Sequence, residues 1–427
     1  MTVAVRTSEL SGCDCKAAQS RLIPVQDALD DILAKVSPLS GSAICPVAKA
    51  RGRIATATIA SAVPLPRFDN SAMDGYAIHA DDIARARPLQ LRLMDRVAAG
   101  RGAIAPLHRG TTVQILTGAP VPPGVAAVVP HEETRRSGNH IAVGTHVAPG
   151  ANIRHAGEDI ARGEPLVNAG ARLDVRHIAL LLAAGVTEIP VVRPVRVGLL
   201  STGDELTDAG HAAGGHRIVD INRPLLSGLL DSPDVELRDF GIVADRNDAV
   251  AECIRSAAAE CDLLVTTGGI CGSDADHVAP AIRAAGGECR QIKLALKPGK
   301  PIGFGRLDRT TILCLPGNPV SVFVTAILFL RPLLRHLAGV SQEPLRGFPA
   351  FAADVFRHVP GRAEFVPVQV MSIDSGNRRR LRSLPRGSHR LSSLAAADGF
   401  AEIACNHGNV QPGQPLVFHP FNAGWSL

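Results

Sequence analysis

Two loops in the second half of the chain carry residues that suit an anionic ligand. The first, Thr266–Asp276, contains Gly268 and Gly269, whose backbone N–H groups can approach a phosphate closely. The second loop region supplies three ammonium groups, those of Lys293, Lys297 and Lys300. Lysine presents a compact charge that suits phosphate or an oxyanion. Together the loops predict a site for a ligand that carries phosphate.

Carboxylates in the same region require a cation if phosphate binds there. Glu205 and Asp276 could hold Mg²⁺, which takes oxygen ligands from one or two carboxylates and from phosphate. Such residues also serve as helix N-caps, the interpretation we favour for Asp274 taken alone. Likewise, Gly-Gly is common in plain strand–helix turns, and lysines are common on solvated edge strands. The loop is neither a Walker A motif nor a GxGxxG fingerprint, which excludes generic ATPase and NAD-binding functions.

The elements that must position these loops alternate between apolar strand-like runs and helical patterns over 187–338. They include a strand-like segment at Val235–Val243 and a long apolar helix at Asn318–Leu337. This alternation predicts a three-layer α/β domain with a mostly parallel sheet. In such sheets, ligands bind at the carboxyl ends of the strands. Glu205, Gly268 and Pro316–Pro319 each follow a predicted strand, so we expect them at one edge.

The remaining chain predicts β domains on both sides of this α/β domain. Short strand-like segments separated by Gly and Pro fill 67–144, as in a small barrel or sandwich. The predicted fold is multidomain, α/β plus β. Its segments are a tail (1–18), a discontinuous N-terminal domain (19–66 and 145–186), an inserted β domain (67–144), the α/β domain (187–338) and a C-terminal β-barrel-like domain (339–427).

Composition restricts the class of protein. Of the 427 residues, 46% are hydrophobic and 20% charged, as in a folded chain. A net charge of only +5 and 3% aromatic residues argue against nucleic-acid binding. No apolar run reaches the roughly 18 residues of a membrane helix, and no secretory signal is visible. We therefore expect a cytoplasmic protein with reduced thiols.

Six motifs, in order, resemble the signatures of the MoeA and gephyrin E-domain family, the molybdopterin molybdenumtransferases. The resemblance covers about residues 20–420. The motifs are Phe68–Ala77, Thr117–Pro122, Asn152–Arg154 with Gly157–Ile160, Ser201–Leu206, Lys297–Pro301 and Leu315–Ser321.

This resemblance implies an elongated homodimer of four-domain subunits with a MogA-like α/β domain. The implied reaction inserts molybdate into adenylylated molybdopterin, with hydrolysis of the adenylyl bond, release of AMP and assistance from Mg²⁺. The upstream adenylyltransferase and downstream molybdoenzyme chaperones are further implied partners.

Family site residues transfer to matching positions of this sequence. The expected catalytic residues are Asp74, Thr117, Asp159, Glu205, Asp245 and Asp276. The expected substrate-binding residues are Gly268, Gly269, Ser273, Lys293, Lys297, Lys300, Pro316, Pro319, Arg362 and Ser388. Glu205 and Asp276 are the expected Mg²⁺ ligands. The sequence departs from the family at His277, where an aromatic residue often stands, and adds Cys271 to the loop.

Three alternatives remain open from the sequence. Gephyrin-like domains also act as non-catalytic scaffolds that bind receptor tails. The α/β segment also resembles the adenylyltransferase of the preceding step. Tungstate could replace molybdate, because the two oxyanions have nearly the same size and charge.

Overall fold

The computed structural model describes residues 22–100, 105–210, 215–270, 277–373, 376 and 378–421. The chain divides into two compact units. One comprises Ser42–Val192, and the other comprises the segments before and after it. The first helix among the described residues of the second unit is α1 (Val25–Leu33), which buries Ala28 and Ile32. Just before this helix, Ile23 forms an isolated parallel β-bridge with Leu294.

The unit Ser42–Val192 contains twelve strands among its described residues. They are β1 (Ser42–Pro46), β2 (Ile59–Ala60), β3 (Asn70–Ser71), β4 (Gly75–His79), β5 (Leu89–Val97), β6 (Thr111–Ile115), β7 (Val125–Pro130), β8 (Thr134–Ser137), β9 (His140–Val143), β10 (Ile153–Arg154), β11 (Pro165–Val167) and β12 (Glu188–Val192). Short 3₁₀ turns span Val47–Lys49, Ala80–Asp82 and His131–Glu133.

The pairing of these strands shows that a β domain is inserted into a discontinuous one. Strands β4 to β9 form a six-stranded sheet in the order β7-β4-β6-β5-β9-β8. Three antiparallel pairs, β1–β12, β2–β11 and β3–β10, join the segments on either side of it. Helix α2 (Val175–Ala183) packs there and begins at Asp174, whose carboxylate accepts from Arg176 N and His177 N as a cap.

The α/β part of the second unit contains strands and helices in alternation. The strands are β13 (Val195–Thr202), β14 (Leu206–Thr207), β15 (Ile218–Val219), β16 (Val235–Val243), β17 (Leu263–Thr267), β18 (Glu288–Lys293), β19 (Leu296–Lys297), β20 (Pro301–Leu307) and β21 (Thr310–Leu315). The helices are α3 (Asn222–Leu229), α4 (Asn247–Glu260), α5 (Val278–Ala284), α6 (Pro319–Thr325) and α7 (Arg331–Leu337), with a π-helical stretch, Ala326–Leu330, between the last two.

The main sheet of this part has the order β16-β13-β17-β21-β20-β18. The first four strands are parallel, and β20 and β18 are antiparallel to their neighbours. Helices α4 and α5 bury Val250, Ile254 and Ile282 against one face. The helical segment Pro319–Leu337 is, among the described residues, the one long and apolar enough to cross a membrane; 72% of its most apolar window is buried inside the fold.

The C-terminal strands close into a barrel. They are β22 (Phe348–Ala352), β23 (Ala363–Ile373), β24 (Arg379–Ser383), β25 (Gly399–Ile403) and β26 (Pro415–Pro420), with helix α8 (Leu391–Ala396) beside them. The order β23-β24-β22-β26-β25 returns to β23, which closes the sheet. Strand β19 pairs in parallel with the first two residues of β23. The predicted fold class, α/β plus β with an inserted β domain and a barrel-like C-terminal domain, is confirmed.

Candidate active site

Three loops meet at the carboxyl edge of the parallel strands β13, β17 and β21. The N–H of Gly268, after β17, donates to Leu315 O at the end of β21, at 3.3 Å. On the other side, a Cβ added to Gly268 would lie 2.8 Å from Thr202 O at the end of β13. Gly268 has φ +88° and Gly269 φ +61°, conformations that favour glycine. Neighbouring backbone therefore requires glycine at position 268, and at position 269 an added Cβ would lie 2.7 Å from the side-chain atom Cγ2 of Val278.

Polar side-chain atoms lie buried at this edge without partners. The Asn222 side chain, at the start of α3, donates from Nδ2 to Gly317 O at 2.7 Å. Its Oδ1 and the Oγ1 of Thr202 are buried and have no hydrogen-bond partner among the described residues. Pro316 and Pro319 frame the same turn, and Pro319 begins helix α6. Because buried polar groups normally find partners, these atoms indicate a polar ligand or water at this edge.

Three carboxylates follow the ends of two neighbouring strands: Asp204 and Glu205 after β13, and Asp245 after β16. The N–H of Asp245 donates to Asp204 Oδ1 at 3.1 Å. Burial raises the pKa of Asp245, and the nearby charges of Asp204 and Glu205 raise it further, against a smaller lowering effect of His277. The Oδ1 of Asp245 is buried without a hydrogen-bond partner in the described part of the chain. Repulsion among these acids is the condition that a bound cation would relieve.

Part of the predicted metal site lies outside the described residues. Ser273, Asp274 and Asp276 all fall in the segment 271–276. Within the residues that the structure does describe, no three His, Cys, Asp or Glu side chains form a group that could hold a metal ion. The Mg²⁺ pair of Glu205 and Asp276 therefore stays a prediction.

A cavity of about 250 Å³ lies where the lysine loop meets the barrel. Four basic side chains line it: Lys297, Lys300, Arg362 and Arg386. Two hydroxyls, those of Ser321 and Ser388, line it as well. Ser388 is held in place because its carbonyl accepts from Val320 N at 3.0 Å. The cavity thus combines cationic groups with hydroxyl donors, a combination that suits an oxyanion.

The predicted residues Lys297, Lys300, Arg362 and Ser388 come together here, although they lie on different elements. Gly299 lets the lysine loop turn beside α6: it has φ +111°, and an added Cβ would lie 2.7 Å from Thr325 Cγ2. Lys293 does not line this cavity; it is exposed at the end of the edge strand β18. Of the three lysines, two therefore face the cavity.

One carboxylate, Glu364, lies among the cavity's basic groups. Its side chain is 3% exposed and contacts Lys297 Nζ at 3.0 Å, Arg386 Nη1 at 3.3 Å and His358 Nδ1 at 2.8 Å. Burial favours its neutral form, but hydrogen bonds from His358 and Lys297 and the charges of Arg386 and Lys297 outweigh burial, so its pKa is lowered. Glu364 is therefore ionised at neutral pH.

The remaining predicted residues lie in the unit Ser42–Val192. The backbone N–H and the hydroxyl of Thr117 both donate to Asp74 Oδ1, at 2.7 Å each. These bonds, the backbone one above all, lower the pKa of Asp74. Asp159 lies on an exposed loop, and its N–H donates to Leu65 O at 3.1 Å. Asp74 and Thr117 thus form a direct pair, whereas Asp159 is held by a separate contact.

The sequence did not indicate Arg386, Glu364 or Ser321. Arg386 immediately precedes the Gly-Ser-His segment that supplied Ser388, and Ser321 ends the last family motif. Glu364 follows Arg362 by two residues on the strand opposite Lys297. Their nearness in sequence to predicted residues was the available signal, but charge alone did not separate them from surface residues.

Comparisons with known proteins agree over most of the chain, from residue 23 to residue 421. Three family models match in succession: MoeA N-terminal region (domain I and II) over residues 23–185, probable molybdopterin binding domain over 198–336, and MoeA C-terminal region (domain IV) over 349–421. The molybdopterin molybdenumtransferase of Haemophilus influenzae is 32% identical over 377 residues, covering 88% of this chain and 92% of that protein. The chain belongs to the molybdopterin molybdenumtransferase family.

Two further proteins support this family assignment. Molybdopterin molybdenumtransferase 2 of Mycobacterium tuberculosis is 32% identical over 396 residues, covering 87% of this chain and 93% of that protein. The crystal structure of a molybdopterin biosynthesis MoeA protein from Pyrococcus horikoshii matches with a TM-score of 0.76 at 28% identity, covering 93% of this chain and 99% of that one. The resemblance carried by the six motifs is confirmed.

Proposed function

We propose that this chain is the molybdenum insertase of molybdenum cofactor biosynthesis, acting on adenylylated molybdopterin and molybdate with release of AMP. As a member of its family the chain is a transferase that handles molybdopterin and molybdenum. The observation that carries the finer proposal is the cavity lined by Lys297, Lys300, Arg362 and Arg386. It offers the charge and the hydroxyl donors that a small dianion needs.

The residues divide into two groups by their chemistry. Those around the cavity would bind molybdate, because basic groups and the hydroxyls of Ser321 and Ser388 complement an oxyanion. The carboxyl edge of β17 would bind the pterin's phosphate, because Gly268 and Gly269 leave the backbone accessible. Lys293, exposed near the lysine loop, would add charge for the phosphate. The pterin and the molybdate would then meet beside helix α6, whose first residues border the cavity.

In this proposal a Mg²⁺ ion would bind the carboxylates that follow β13 and β16, together with Asp276, which lies outside the described residues. The unpartnered, buried Oδ1 of Asp245 and the raised pKa of its carboxyl support a cation there. Glu205, Asp276 and Asp245 would hold it. When bound, Mg²⁺ would neutralise phosphate charge and polarise the adenylyl bond. Asp204 would fix the loop that carries Asp245 through the backbone hydrogen bond.

The assembly that we propose is a cytoplasmic homodimer. In this proposal, Asp74, Thr117 and Asp159 of one subunit complete the cleft of the other. The hydrogen bonds from Thr117 keep Asp74 ionised and oriented, as a group that acts on substrate requires. The upstream adenylyltransferase and molybdoenzyme chaperones would deliver substrate and receive product.

Release of AMP from adenylylated molybdopterin, with molybdate and Mg²⁺, tests the activity. Arg362→Ala should raise the molybdate concentration needed for half-maximal AMP release by about tenfold, because a charged hydrogen bond to the oxyanion is lost. Arg382→Ala is the matched control, since Arg382 is exposed on the same barrel and donates to Gln369 Oε1.

Other outcomes would overturn the proposal in different ways. A folded wild-type protein that releases no AMP under these conditions would support the scaffold alternative. Formation of the adenylate from ATP and molybdopterin would instead mark the adenylyltransferase step. If Arg362→Ala and Arg382→Ala need the same molybdate concentration for half-maximal AMP release, the cavity is not the molybdate site. Substituting tungstate in the same assay decides which oxyanion is preferred.

A further inference from the structure

Glu364 is an unexpected residue for an anion-binding cavity. Its carboxylate is 3% exposed, lines the same cavity as four basic side chains, and is ionised at neutral pH. An ionised carboxylate repels an oxyanion at short range. A cavity that binds molybdate would therefore bind it more tightly without Glu364, unless this residue improves the site in another way.

The contacts of Glu364 indicate how it could improve the site. Its Oε1 accepts from two of the cavity's cationic groups, Lys297 Nζ at 3.0 Å and Arg386 Nη1 at 3.3 Å. The backbone places the first of these directly opposite, because Lys297 and Glu364 are register partners in the parallel pair β19–β23. The pair is reinforced where Ala363 N donates to Ala295 O at 2.8 Å.

The other carboxylate oxygen is fixed from behind. Oε2 of Glu364 contacts Nδ1 of His358 at 2.8 Å, and the His358 side chain is only 1% exposed. The backbone N–H of His358 donates to Asn409 Oδ1 at 2.8 Å. The carboxylate is thus held by the barrel on one side and holds cavity cations on the other. Arg386 gains further contacts from Arg357 O and from the ring of Phe356, 5.8 Å away.

We propose that Glu364 is a positioning residue that orients Lys297 and Arg386 toward the bound oxyanion. This inference rests on the proposed molybdate site. An untethered Lys or Arg loses much rotamer freedom when it binds a ligand, whereas a side chain already held in place loses little. Glu364 would therefore strengthen binding through orientation by more than it weakens binding through charge.

Substitution of Glu364 separates orientation from charge because the two effects have opposite signs. Glu364→Gln removes the negative charge and presents an amide to Lys297. If Glu364 acts only as a countercharge, this variant should bind molybdate more tightly. If Glu364 positions the cations, the variant should bind it about tenfold more weakly, the effect of losing charged hydrogen bonds. Glu364→Asp keeps the charge but withdraws it by one methylene, so positioning predicts weaker binding and countercharge predicts no change.

The measurement is titration calorimetry of the full chain with inorganic molybdate, together with molybdate-dependent AMP release. Both Glu364 variants should weaken molybdate binding and raise its KM by about tenfold, with little change in kcat. The matched control is Glu402→Gln, because Glu402 also pairs with a buried histidine of the barrel, His419 Nε2 at 2.8 Å, but does not line this cavity. Circular dichroism checks folding; if Glu364→Gln does not fold, Glu364→Asp decides.

Failure of this inference differs from failure of the proposed site. Unchanged or tighter molybdate binding by Glu364→Gln, while Arg362→Ala binds weakly, would overturn the positioning role and leave the site intact. Wild-type molybdate binding by both Glu364→Gln and Arg362→Ala would overturn the site itself. A loss shared equally by Glu402→Gln would mean that the barrel's stability, and not the orientation of Lys297 and Arg386, controls binding.

Discussion

At the scale of single residues, the carboxylates separate into two kinds. Glu364 lies among donors that lower its pKa, whereas Asp245 lies beside Asp204 and Glu205, with its pKa raised. The first stabilises the folded state as an anion. The second opposes folding when charged, unless a cation compensates. This difference leads to a prediction that combines metal and pH.

Replacement of Asp245 by Asn should raise Tm at neutral pH without Mg²⁺, by about 1–3 °C. The folded pKa of Asp245 is raised, so the protonated form stabilises the fold, and that stability is lost as pH rises through the folded pKa. The advantage of the variant should therefore disappear below about pH 4, where the wild-type carboxyl is protonated. Added Mg²⁺ should raise the Tm of the wild type more than that of the variant.

Asp248→Asn provides the control in the same thermal scans. Asp248 is exposed in the first turn of α4 and pairs with Arg246 at 3.5 Å, so its loss should lower Tm slightly. An equal rise in Tm for both variants would show that general surface charge is responsible. An identical Mg²⁺ response of the wild type and Asp245→Asn would remove Asp245 from the metal site.

At the scale of elements, local patterns predicted the bounds of some strands and helices closely. The strand predicted over Val235–Val243 has those bounds, and the long helix predicted from Asn318 begins at Pro319. Strand β20 was not predicted because glycines interrupt its apolar run. Those glycines are required by neighbouring strands: a Cβ on Gly303 would lie 2.8 Å from Cys314 Cβ. Such a requirement is set by residues distant in sequence, so local patterns do not contain it.

In the candidate site, too, local patterns predicted some residues, and others depend on residues distant in sequence. The glycine pair and the lysines were predicted from local chemistry, because the residue types in short loops after strands are informative. The partnership of Lys297 with Glu364 depends on strands β19 and β23 pairing in register. Arg386 reaches the same carboxylate from a third segment. No spacing in the sequence specifies these contacts, which arise only when the barrel closes.

Gly268→Ala should cost about 2–4 kcal/mol of unfolding free energy and abolish most AMP release. Two effects add: φ is +88°, and the new Cβ would lie 2.8 Å from Thr202 O, a backbone atom that cannot rotate away. The end of β17 would then move relative to β13, and the phosphate loop would lose its shape. Chemical denaturation and the AMP assay measure the two consequences.

Gly413→Ala measures the conformational part of that effect without the close contact. Gly413 has nearly the same φ, +85°, but no atom within 4 Å of its added Cβ. The control should therefore cost only the conformational strain, about 1 kcal/mol, with activity retained. Equal losses in stability at both positions would mean that the contact with Thr202 is not constraining.

At the scale of the whole molecule, the chain passes from one unit into Ser42–Val192 and back. The proposed catalytic residues are divided between the two units: Asp74 and Thr117 belong to one, Glu205 and Asp245 to the other. The sequence predicted the inserted β domain because its turn-rich pattern differs from the alternating pattern that follows. It contains no signal for which copy of each unit forms a cleft, since that depends on assembly.

Mixed dimers test the proposed assembly. Asp74→Asn and Glu205→Gln should each be inactive as homodimers, but a heterodimer isolated with two affinity tags should release AMP at about half the wild-type rate. In a shared-cleft dimer, one cleft then combines both defects and the other none. The control heterodimer, Glu205→Gln with Asp245→Asn, should stay impaired because both residues belong to the same unit. An inactive first heterodimer, or an active wild-type monomer in light scattering, would contradict a cleft completed by the partner.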